Sequence, residues 1–495
     1  MENNVPIHLQ EIIFASSDSA IRRQLSVLEE KKQIKKIAPR IYTSNFNEPL
    51  EVIIKRNIFT ILGKLYPGAV LSHRSALEFQ PTAANQLFVT YSYTKKIELP
   101  GITIRFIEGV TAIEGDNPFS GELFVSQQER AFLENLQSSR QVGPTSKTIT
   151  LPELENKLEQ IVQVKGEEGL NQFRDKAKVI ADKLGMQSEF EKLNKLISAL
   201  LTTKPSKILT SPTAIARALG NPYDKHRIEL FEKLFVALQQ QPYKERQDIN
   251  TATNAFRNFA FFESYFSNYI EGTIFEIEEA KSIIQTEIPI QNRDEDSHDI
   301  LGTYRLVSNL KEMTTTPSNA EELLNILLYR HQLLLAARIS KKPGQFKDKN
   351  NRAGETHFVD HTLVKGTLIK GFDYYQALQE PFAKAAYIMF MVSEIHPFLD
   401  GNGRIARVMM NAELVKSNQS RIIIPTVYRD DYLGALRRLT RNNDPSVYIK
   451  MLQRAQEFSA TLNANNMETL ENQLTKSNAF KEHDEAKLKI LGKDF

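Results

Sequence analysis

The sequence predicts a mainly α-helical protein with a small α/β module at its N-terminal end. Apolar residues recur at helical spacing in most segments after about residue 120. Segments that alternate like strands are concentrated in the first 110 residues. Two long apolar segments, residues 382–393 and 404–415, flank a short glycine-containing loop, which predicts a buried helix–loop–helix unit.

Composition limits the number of domains and the compartment. A chain of 495 residues exceeds one ordinary hydrophobic core, so two or three domains are expected. The 63 basic and 60 acidic residues leave a net charge of +3, which by itself favours no particular partner. The chain has no cysteine, which excludes disulfides and thiolate metal sites. With no leader-like start and no apolar run of membrane-spanning length, we expect a cytoplasmic protein without a membrane partner.

The N-terminal module is predicted over residues 1–110. Residues 16–29 have helical apolar spacing, and residues 33–43 alternate and turn like a short β-wing. Strands at 87–93 and 102–107 would complete the module. The helix and wing carry seven basic side chains: Arg22, Arg23, Lys31, Lys32, Lys35, Lys36 and Arg40. A helix followed by a basic wing is typical of winged-helix proteins, and it fits DNA binding and protein contact equally.

Residues 111–245 are interpreted as a helical connecting region without catalytic residues. The predicted helices cover residues 129–136, 151–164, 169–184 and 227–240. Proline- and serine-containing breaks at 203–206 and 211–213 separate them.

An aromatic-rich helix is predicted over residues 254–272, with Gly272 as its C-cap. Glu271 lies at its C-terminal end, where the helix dipole disfavours a carboxylate. A cationic partner for Glu271 is therefore expected.

Two further helices, at residues 299–311 and 320–337, precede a polar, turn-rich stretch at 341–354. Residues 356–359 then form one strand of a predicted hairpin. His357 and His361 are four apart, but in a strand or turn this spacing favours exposed loop histidines over a metal pair. At the end of the chain, the charged tail at 471–495 is expected to form a frayed helix.

The loop between the two apolar helices combines the groups that phosphate chemistry needs. Backbone N–H groups of Gly401, Asn402 and Gly403 at a helix start would form a phosphate cradle. Arg404 and Arg407 share a helix face, and guanidinium groups suit phosphate oxygens. Next to such a cradle, a carboxylate at Asp400 indicates a bridging Mg²⁺ ion. His396 can accept a proton near neutral pH.

The run His-Pro-Phe-Leu-Asp-Gly-Asn-Gly-Arg-Ile-Ala-Arg at residues 396–407 matches the HPFx[D/E]GNGRxxR signature, so the chain resembles the Fic family. The resemblance implies an all-helical core with a β-hairpin flap over residues 246–470. It also implies transfer of AMP from ATP to a protein hydroxyl. In that activity His396 deprotonates the hydroxyl, Asp400 holds Mg²⁺, and Arg404 and Arg407 neutralise phosphates.

Further roles follow from the same resemblance. Residues 267–272 fit the inhibitory motif [S/T]xxxE[G/N], which implies an inhibitory helix at 262–272 in which Glu271 pairs with Arg407. A flap at 350–360 would align a target segment by strand addition, and Tyr432 would lie near the nucleotide base or pack its helix onto the core. The chain departs from many members at Lys347, where arginine is common. The inhibitory residues are Ser267, Glu271 and Gly272, and the flap residues are Thr356, His357, Phe358 and Val359.

Residues 40–42 and 70–77 resemble the N-terminal module of AbiEi-type antitoxins. Three functions therefore stay open at this point. The first is AMP transfer to another protein or to the chain itself, and the second is AMP removal with Glu271 orienting water. The third is a DNA-binding regulator in which the Fic unit senses a ligand. Phosphate transfer is disfavoured because Gly403 stands where Doc toxins carry lysine. The oligomeric state is also left open.

Overall fold

The computed structural model describes residues 7–201 and 208–492, so the predicted break at 203–206 lies outside the described residues. The chain divides into two compact units, residues 1–219 and 220–495. Each unit is described by itself below.

The first unit begins with a three-stranded antiparallel sheet and one helix. Strands β1 (Ile12–Phe14), β2 (Lys35–Ala38) and β3 (Ile41–Thr43) are ordered β1-β3-β2, and α1 (Ser19–Glu30) lies between β1 and β2 in the chain. Asp18 caps α1 by accepting the N–H of Ala20 at 2.7 Å. A helix and a β-hairpin lie at the predicted positions, and within residues 7–49 α1 is the only α-helix that the structure describes.

A six-stranded mixed sheet with the strand order β6-β7-β5-β4-β9-β8 follows. The sheet continues past the predicted module end at residue 110 because it includes β8 and β9. Pro118 and the shortness of these strands hide them from sequence periodicity. The elements are α2 (Leu50–Leu65), β4 (Val70–Leu71), α3 (His73–Glu78), β5 (Gln86–Tyr91), β6 (Lys95–Leu99), β7 (Ile102–Glu108), β8 (Asn117–Ser120), β9 (Leu123–Val125) and α4 (Gln128–Asn135).

The rest of the first unit is helical, with α5 (Leu151–Leu184), α6 (Gln187–Leu201) and α7 (Pro212–Ala218). Gly166 has a φ of 71° and interrupts α5, so the two helices predicted at 151–164 and 169–184 form one kinked element. Helix α6 has no counterpart among the predicted elements.

The second unit is built from helices around the buried pair α15 and α16, and the mainly α-helical prediction is confirmed. A β-hairpin, β10 (Arg352–Ala353) and β11 (Thr356–His357), is its only described sheet. The helices are α8 (Lys225–Gln239), α9 (Thr253–Ile270), α10 (Ile277–Thr286), α11 (Asp294–Val307), α12 (Leu310–Met313), α13 (Ala320–Leu334), α14 (Val364–Ala377), α15 (Pro381–Ile395), α16 (Asn402–Lys416), α17 (Arg429–Asn442), α18 (Pro445–Ser459) and α19 (Met467–Lys476).

Helix α8 belongs to this second unit, although the sequence places it in the connecting region. Phe231 of α8 contacts Tyr387 and Phe390 of α15 edge to face, with ring centroids 6.2 Å apart in both pairs. The boundary expected at 245/246 thus falls within the second unit, since this packing is invisible in local composition.

Residues after α19 are packed where the sequence predicts a charged tail. Phe480 stacks on Phe266 of α9 at 5.4 Å, and Leu488 and Ile490 are buried. The expected frayed helix is therefore wrong for this segment up to residue 492. Within the described ranges, none of the helices has both the length and the apolar character needed to cross a membrane.

Candidate active site

The loop between α15 and α16 is held in shape by its own residues. His396 ends α15 in a left-handed conformation (φ 53°), and its N–H donates to Val392 O at 3.0 Å. Gly401 has a φ of 75°, which glycine adopts without strain, and α16 begins directly after it. The Asn402 side chain both accepts from the N–H and donates to the carbonyl of Phe398, at 2.8 and 2.9 Å. Its amide therefore shapes the loop, and only its backbone can serve the predicted phosphate cradle.

His396 is held as a neutral proton acceptor. Its Nδ1 lies 3.1 Å from Ser393 O, and because a carbonyl only accepts, Nδ1 carries the hydrogen and Nε2 keeps its lone pair. Burial lowers the pKa of His396 to about 4, and the charge of Lys347 acts in the same direction. Phe358 stacks on the imidazole with ring centroids 3.7 Å apart and planes 4° apart. The imidazole is thus fixed in orientation and uncharged at neutral pH.

A cleft of about 510 Å³ opens over His396 and the start of α16. The first N–H groups of a helix have no intrahelical partners, so the α16 start offers donors to a phosphate group here. Residues from the turn after α9, the hairpin segment, α15 and its end, α16 and α17 line the cleft, among them Glu271, Thr356, Phe358, His396, Gly403, Arg407, Tyr432, Leu436 and Arg441.

Arg407 is occupied by the residue that the inhibitory motif predicts. Its Nη2 lies 2.6 Å from Glu271 Oε1 and also donates to Ser267 O at 2.8 Å. Its Nε donates to Ser267 Oγ at 3.0 Å, and its Nη1 donates to the Tyr432 hydroxyl at 3.3 Å. The guanidinium is buried, so these bonds act in a low-dielectric environment.

Glu271 and Gly403 lie so close that a larger residue at position 403 would displace the Glu271 carboxylate. A Cβ at Gly403 would be 2.2 Å from Glu271 Oε1. Gly272 follows Glu271 with a φ of 92°, which explains the glycine at that position. The Glu271 carboxylate thus covers the first turn of α16.

Arg404 is paired with a carboxylate that no sequence motif identifies. Its Nη1 lies 2.7 Å from Asp299 Oδ2 and donates to Asn268 Oδ1 at 3.2 Å. Asp299 is buried in α11 and also contacts Arg338 at 2.8 Å. Asp299 falls at the start of a predicted helix, and no local pattern distinguishes it from an ordinary helix-start acid.

Asp400 is about one-third exposed at the edge of the loop. Its Oδ1 accepts the N–H of Gly401 at 2.7 Å, while Lys341 Nζ and Arg404 Nη2 are each 3.8 Å from its carboxylate. Among the described residues no group of three acidic, histidine or cysteine side chains is placed to hold a metal. A single exposed carboxylate fits Mg²⁺ when nucleotide phosphates supply further ligands.

The hairpin lies where the flap is predicted, but its strand is shorter. Thr356 and His357 form β11, whereas Phe358 turns onto His396 and Val359 is buried. Arg441 Nη2 donates to Thr356 Oγ1 at 3.2 Å. The backbone N–H of His361 donates to Asn350 Oδ1 at 2.8 Å. The side chains of His357 and His361 are both exposed, as expected.

Two buried side chains beneath the loop were missed or given no role by sequence reasoning. His331 stacks on Phe398 at 3.8 Å. Its Nδ1 accepts from Gly344 N–H at 3.0 Å, so its Nε2 carries the hydrogen and donates to Asp400 O at 3.2 Å. Lys347 donates to Asn351 Oδ1 at 2.7 Å, and burial lowers its pKa to about 8. His331 is linked to the loop through Asp400 O, and Lys347 through its backbone N–H, which donates to Pro397 O at 2.8 Å; local sequence does not reveal such long-range contacts.

Comparison with known proteins finds similarity to one described family. Residues 319–414 match the Fic/DOC family. The protein adenylyltransferase Fic of Drosophila willistoni is 24% identical over 212 residues, covering 41% of this chain and 42% of the relative. That of Aedes aegypti is 27% identical over 241 residues, covering 46% and 48%. The chain thus spans less than half the length of these relatives.

Solved structures of Fic proteins are similar at low identity. Fic-1 from C. elegans is 15% identical with a TM-score of 0.36, covering 67% of this chain and 90% of that one. A Fic domain containing signaling protein from Bacteroides thetaiotaomicron is 18% identical with a TM-score of 0.35, covering 51% and 97%.

Proposed function

We propose, from the premise that residues 319–414 match the Fic/DOC family, that the chain transfers AMP from ATP to a protein hydroxyl under the control of Glu271. The observation that supports this most is the position of Arg407, which shares one cleft with His396 and is bound by Glu271. A proton acceptor, a helix start and two arginines together suit transfer of a phosphorus-centred group.

The mechanism follows from the residues that face the cleft. Nε2 of His396 removes the proton of the target hydroxyl, whose oxygen attacks the α-phosphorus of ATP. The bond between the α-phosphorus and the bridging oxygen breaks, and pyrophosphate leaves with that oxygen. N–H groups of Asn402 and Gly403 and the charges of Arg404 and Arg407 stabilise the negative charge that develops, while the Gly401 N–H stays bound to Asp400 Oδ1.

Asp400 would hold Mg²⁺ together with the nucleotide phosphates, and the ion would supply neutralising positive charge. His331 and Gly401 fix the backbone on either side of the Asp400 carboxylate, through the bond to Asp400 O and the N–H bond to Oδ1.

Glu271 inhibits by occupying Arg407. A charge-assisted hydrogen bond contributes roughly 1.5–3 kcal/mol, which corresponds to roughly ten- to hundred-fold in nucleotide affinity. Ser267 and Tyr432 keep their bonds to Arg407 when Glu271 moves away, so the guanidinium stays in place for a γ-phosphate. The inhibition is therefore strong but reversible.

The target segment would add as a strand at β11, with Thr356, His357, Phe358 and Val359 leading to His396. Tyr432 would border the nucleotide base, and its hydroxyl also holds Arg407. The target is another protein or the chain itself.

The test compares ATP labelled at the α-phosphorus with ATP labelled at the γ-phosphorus, in the presence of Mg²⁺. We expect Glu271→Gly to incorporate the α-label into itself or lysate proteins roughly ten- to hundred-fold more than wild type. His396→Ala should abolish the incorporation. Glu287→Gly is the matched control, since Glu287 also caps a helix in the second unit but pairs with Arg305 on the surface. Glu271→Gly labelling no higher than that of His396→Ala would refute the proposal, and γ-label incorporation would indicate phosphate transfer.

Removal of AMP is a second candidate, because Glu271 lines the same cleft as His396 and could orient a water molecule. An AMP-modified target that loses its AMP equally with wild type and Glu271→Gly would exclude this role.

The N-terminal unit would select the binding partner by contacting DNA or protein through α1 and the β2–β3 wing. Arg22 and Arg23 are exposed on α1. If the full chain retards duplex DNA with a steep salt dependence, the partner is DNA. Absence of retardation would leave the wing as a protein-contact surface.

A further inference from the structure

Arg227 of α8 connects the flap to the helix that carries the base. Its Nη2 donates to the His357 carbonyl in β11 at 2.6 Å. Its Nε lies 3.0 Å from Glu394 Oε1, an ion pair that is not a well-aligned hydrogen bond. The Arg227 side chain is 11% exposed and that of Glu394 is 4% exposed. One guanidinium therefore contacts two elements of the cleft at once.

Glu394 extends the connection to a third element. It lies two residues before His396 on α15, and its Oε2 accepts from the Thr440 hydroxyl of α17 at 2.6 Å. Burial raises the pKa of Glu394, and the nearby charge of Arg227 opposes this rise. We call the set Arg227, Glu394 and Thr440 the flap bridge. It joins α8, α15 and α17 directly behind the catalytic loop.

The bridge acts on His396 through the next residue of the flap. Arg227 holds the carbonyl of His357, and the following residue, Phe358, stacks on the imidazole. An arginine fork that holds a carbonyl and a carboxylate together fixes their separation, which a lysine point charge does not. The position of β11 relative to the His396 imidazole is thus determined by Arg227 in α8, more than a hundred residues upstream of the loop motif.

We propose that Arg227 is a positioning residue, which keeps the flap in register with His396 so that a hydroxyl presented by the flap reaches the base. This role rests on the AMP transfer proposed above. The partners of Arg227 are the His357 carbonyl and Glu394, and neither belongs to the phosphate-binding groups of α16. Loss of Arg227 should therefore disturb the alignment of the acceptor hydroxyl and leave ATP binding intact.

The test uses the full-length chain with Glu271→Gly as parent, and adds Arg227→Lys or Arg227→Met. Because Arg227→Met leaves the Glu394 carboxylate buried and unpaired, Arg227→Met/Glu394→Gln is also made. Lys225→Met is the matched control, since Lys225 is exposed on the same helix and pairs only weakly with Glu229 at 3.8 Å. Three quantities are measured: the ATP dissociation constant by calorimetry, self-labelling from α-labelled ATP, and amide hydrogen exchange of residues 350–360.

We expect the Arg227 variants to bind ATP within about twofold of the parent and to self-label roughly ten- to hundred-fold more slowly, the range for a misplaced reacting group. Exchange at 350–360 should accelerate, while the control changes none of the three. The acid limb of the pH–rate profile should also move to higher pH, because loss of the Phe358 cover rehydrates His396. Charged groups that act on this imidazole are Lys347 before the flap, Asp400 in the loop and, in wild type, Glu271 after α9.

Unchanged exchange, or ATP affinity and labelling that fall together, would overturn the positioning role. Restoration of labelling in Arg227→Met/Glu394→Gln would also overturn it, since the defect would then come from the unpaired carboxylate. A parent that labels nothing refutes the proposed AMP transfer itself, whereas a labelling parent with unaffected Arg227 variants refutes the positioning role alone.

Discussion

At the scale of residues, Arg407 connects the two halves of the proposed switch. Its three guanidinium nitrogens are bound by Ser267, Glu271 and Tyr432. Only Glu271 brings a formal negative charge, so it is the partner that a phosphate would displace. Arg404 differs, because its partner Asp299 is buried and also bound to Arg338. We therefore expect Arg404 to hold the α16 start in place in both states.

Two buried histidines make the free energy of unfolding decrease in acid. Burial lowers the pKa of both His331 and His396 to about 4, against about 6.5 for a free imidazole. Between these values the unfolded chain binds protons that the native chain does not, so the free energy of unfolding falls as the pH falls from 6.5 to 4. The stabilisation is complete above a pH of about 6.5.

His331→Gln should therefore reduce the slope of unfolding free energy against pH by up to about 1.4 kcal/mol per pH unit in this window. Denaturant unfolding at several pH values from neutral down to the folded-state pKa measures the slope. His298→Gln is the control, since His298 is exposed on α11. Equal slopes for His331→Gln and wild type would show that folding does not lower the pKa of His331.

The residues of the site divide into those that the sequence reveals and those that it hides. The loop signature and the inhibitory motif name His396, Arg407 and Glu271, which the structure brings into one cleft. Asp299, His331 and Arg227 are hidden, because each reaches the loop or flap from a distant part of the chain. Their residue types are ordinary for helices, and only the tertiary fold brings them to the site.

At the scale of elements, the end of α9 determines where Glu271 lies. Phe480, after α19, stacks on Phe266 and contacts Tyr265 edge to face at 6.2 Å. The Tyr269 hydroxyl donates to Glu482 two residues further along. Residues that the sequence assigns to a charged tail therefore support the helix turn that precedes Glu271.

Phe480→Ala should destabilise the second unit by about 2 kcal/mol, since Phe480 is only half-buried and a fully buried phenylalanine costs about 3–5 kcal/mol. Amide exchange of residues 267–271 should accelerate more than exchange in α16. Tyr329→Ala, which removes a ring that is 52% exposed on α13, is the control. Exchange at 267–271 that matches wild type would contradict a supporting role for this segment.

Helices with strong apolar periodicity, such as α9, α13, α15 and α16, are predictable to within a few residues. The two strands of the hairpin have two residues each, too few for a pattern of alternation to define their ends. Strand β8 is obscured by its proline. Local pattern thus suffices for long elements, while short strands depend on their partners.

At the scale of the whole molecule, the chain has two compact units, and α8 is the first helix of the second unit. Residues 220–495 alone should unfold cooperatively, because α8 stays with α15 through Phe231. Residues 246–495, which start at the boundary expected from sequence, lack α8 and Arg227 and should have a lower Tm. Circular dichroism melting of the two fragments compares them. Equal Tm values would show that α8 is dispensable for this unit.

Mass measurement of the expressed protein tests whether Glu271 inhibits an AMP transfer that depends on His396. The intact mass of the chain is measured for wild type, Glu271→Gly and Glu271→Gly/His396→Ala. We expect Glu271→Gly to gain the mass of one or more AMP groups, while wild type gains few or none. The double variant should have the unmodified mass. An unmodified Glu271→Gly that also fails to label any lysate protein, or a double variant that still gains AMP, would contradict this control of His396 by Glu271.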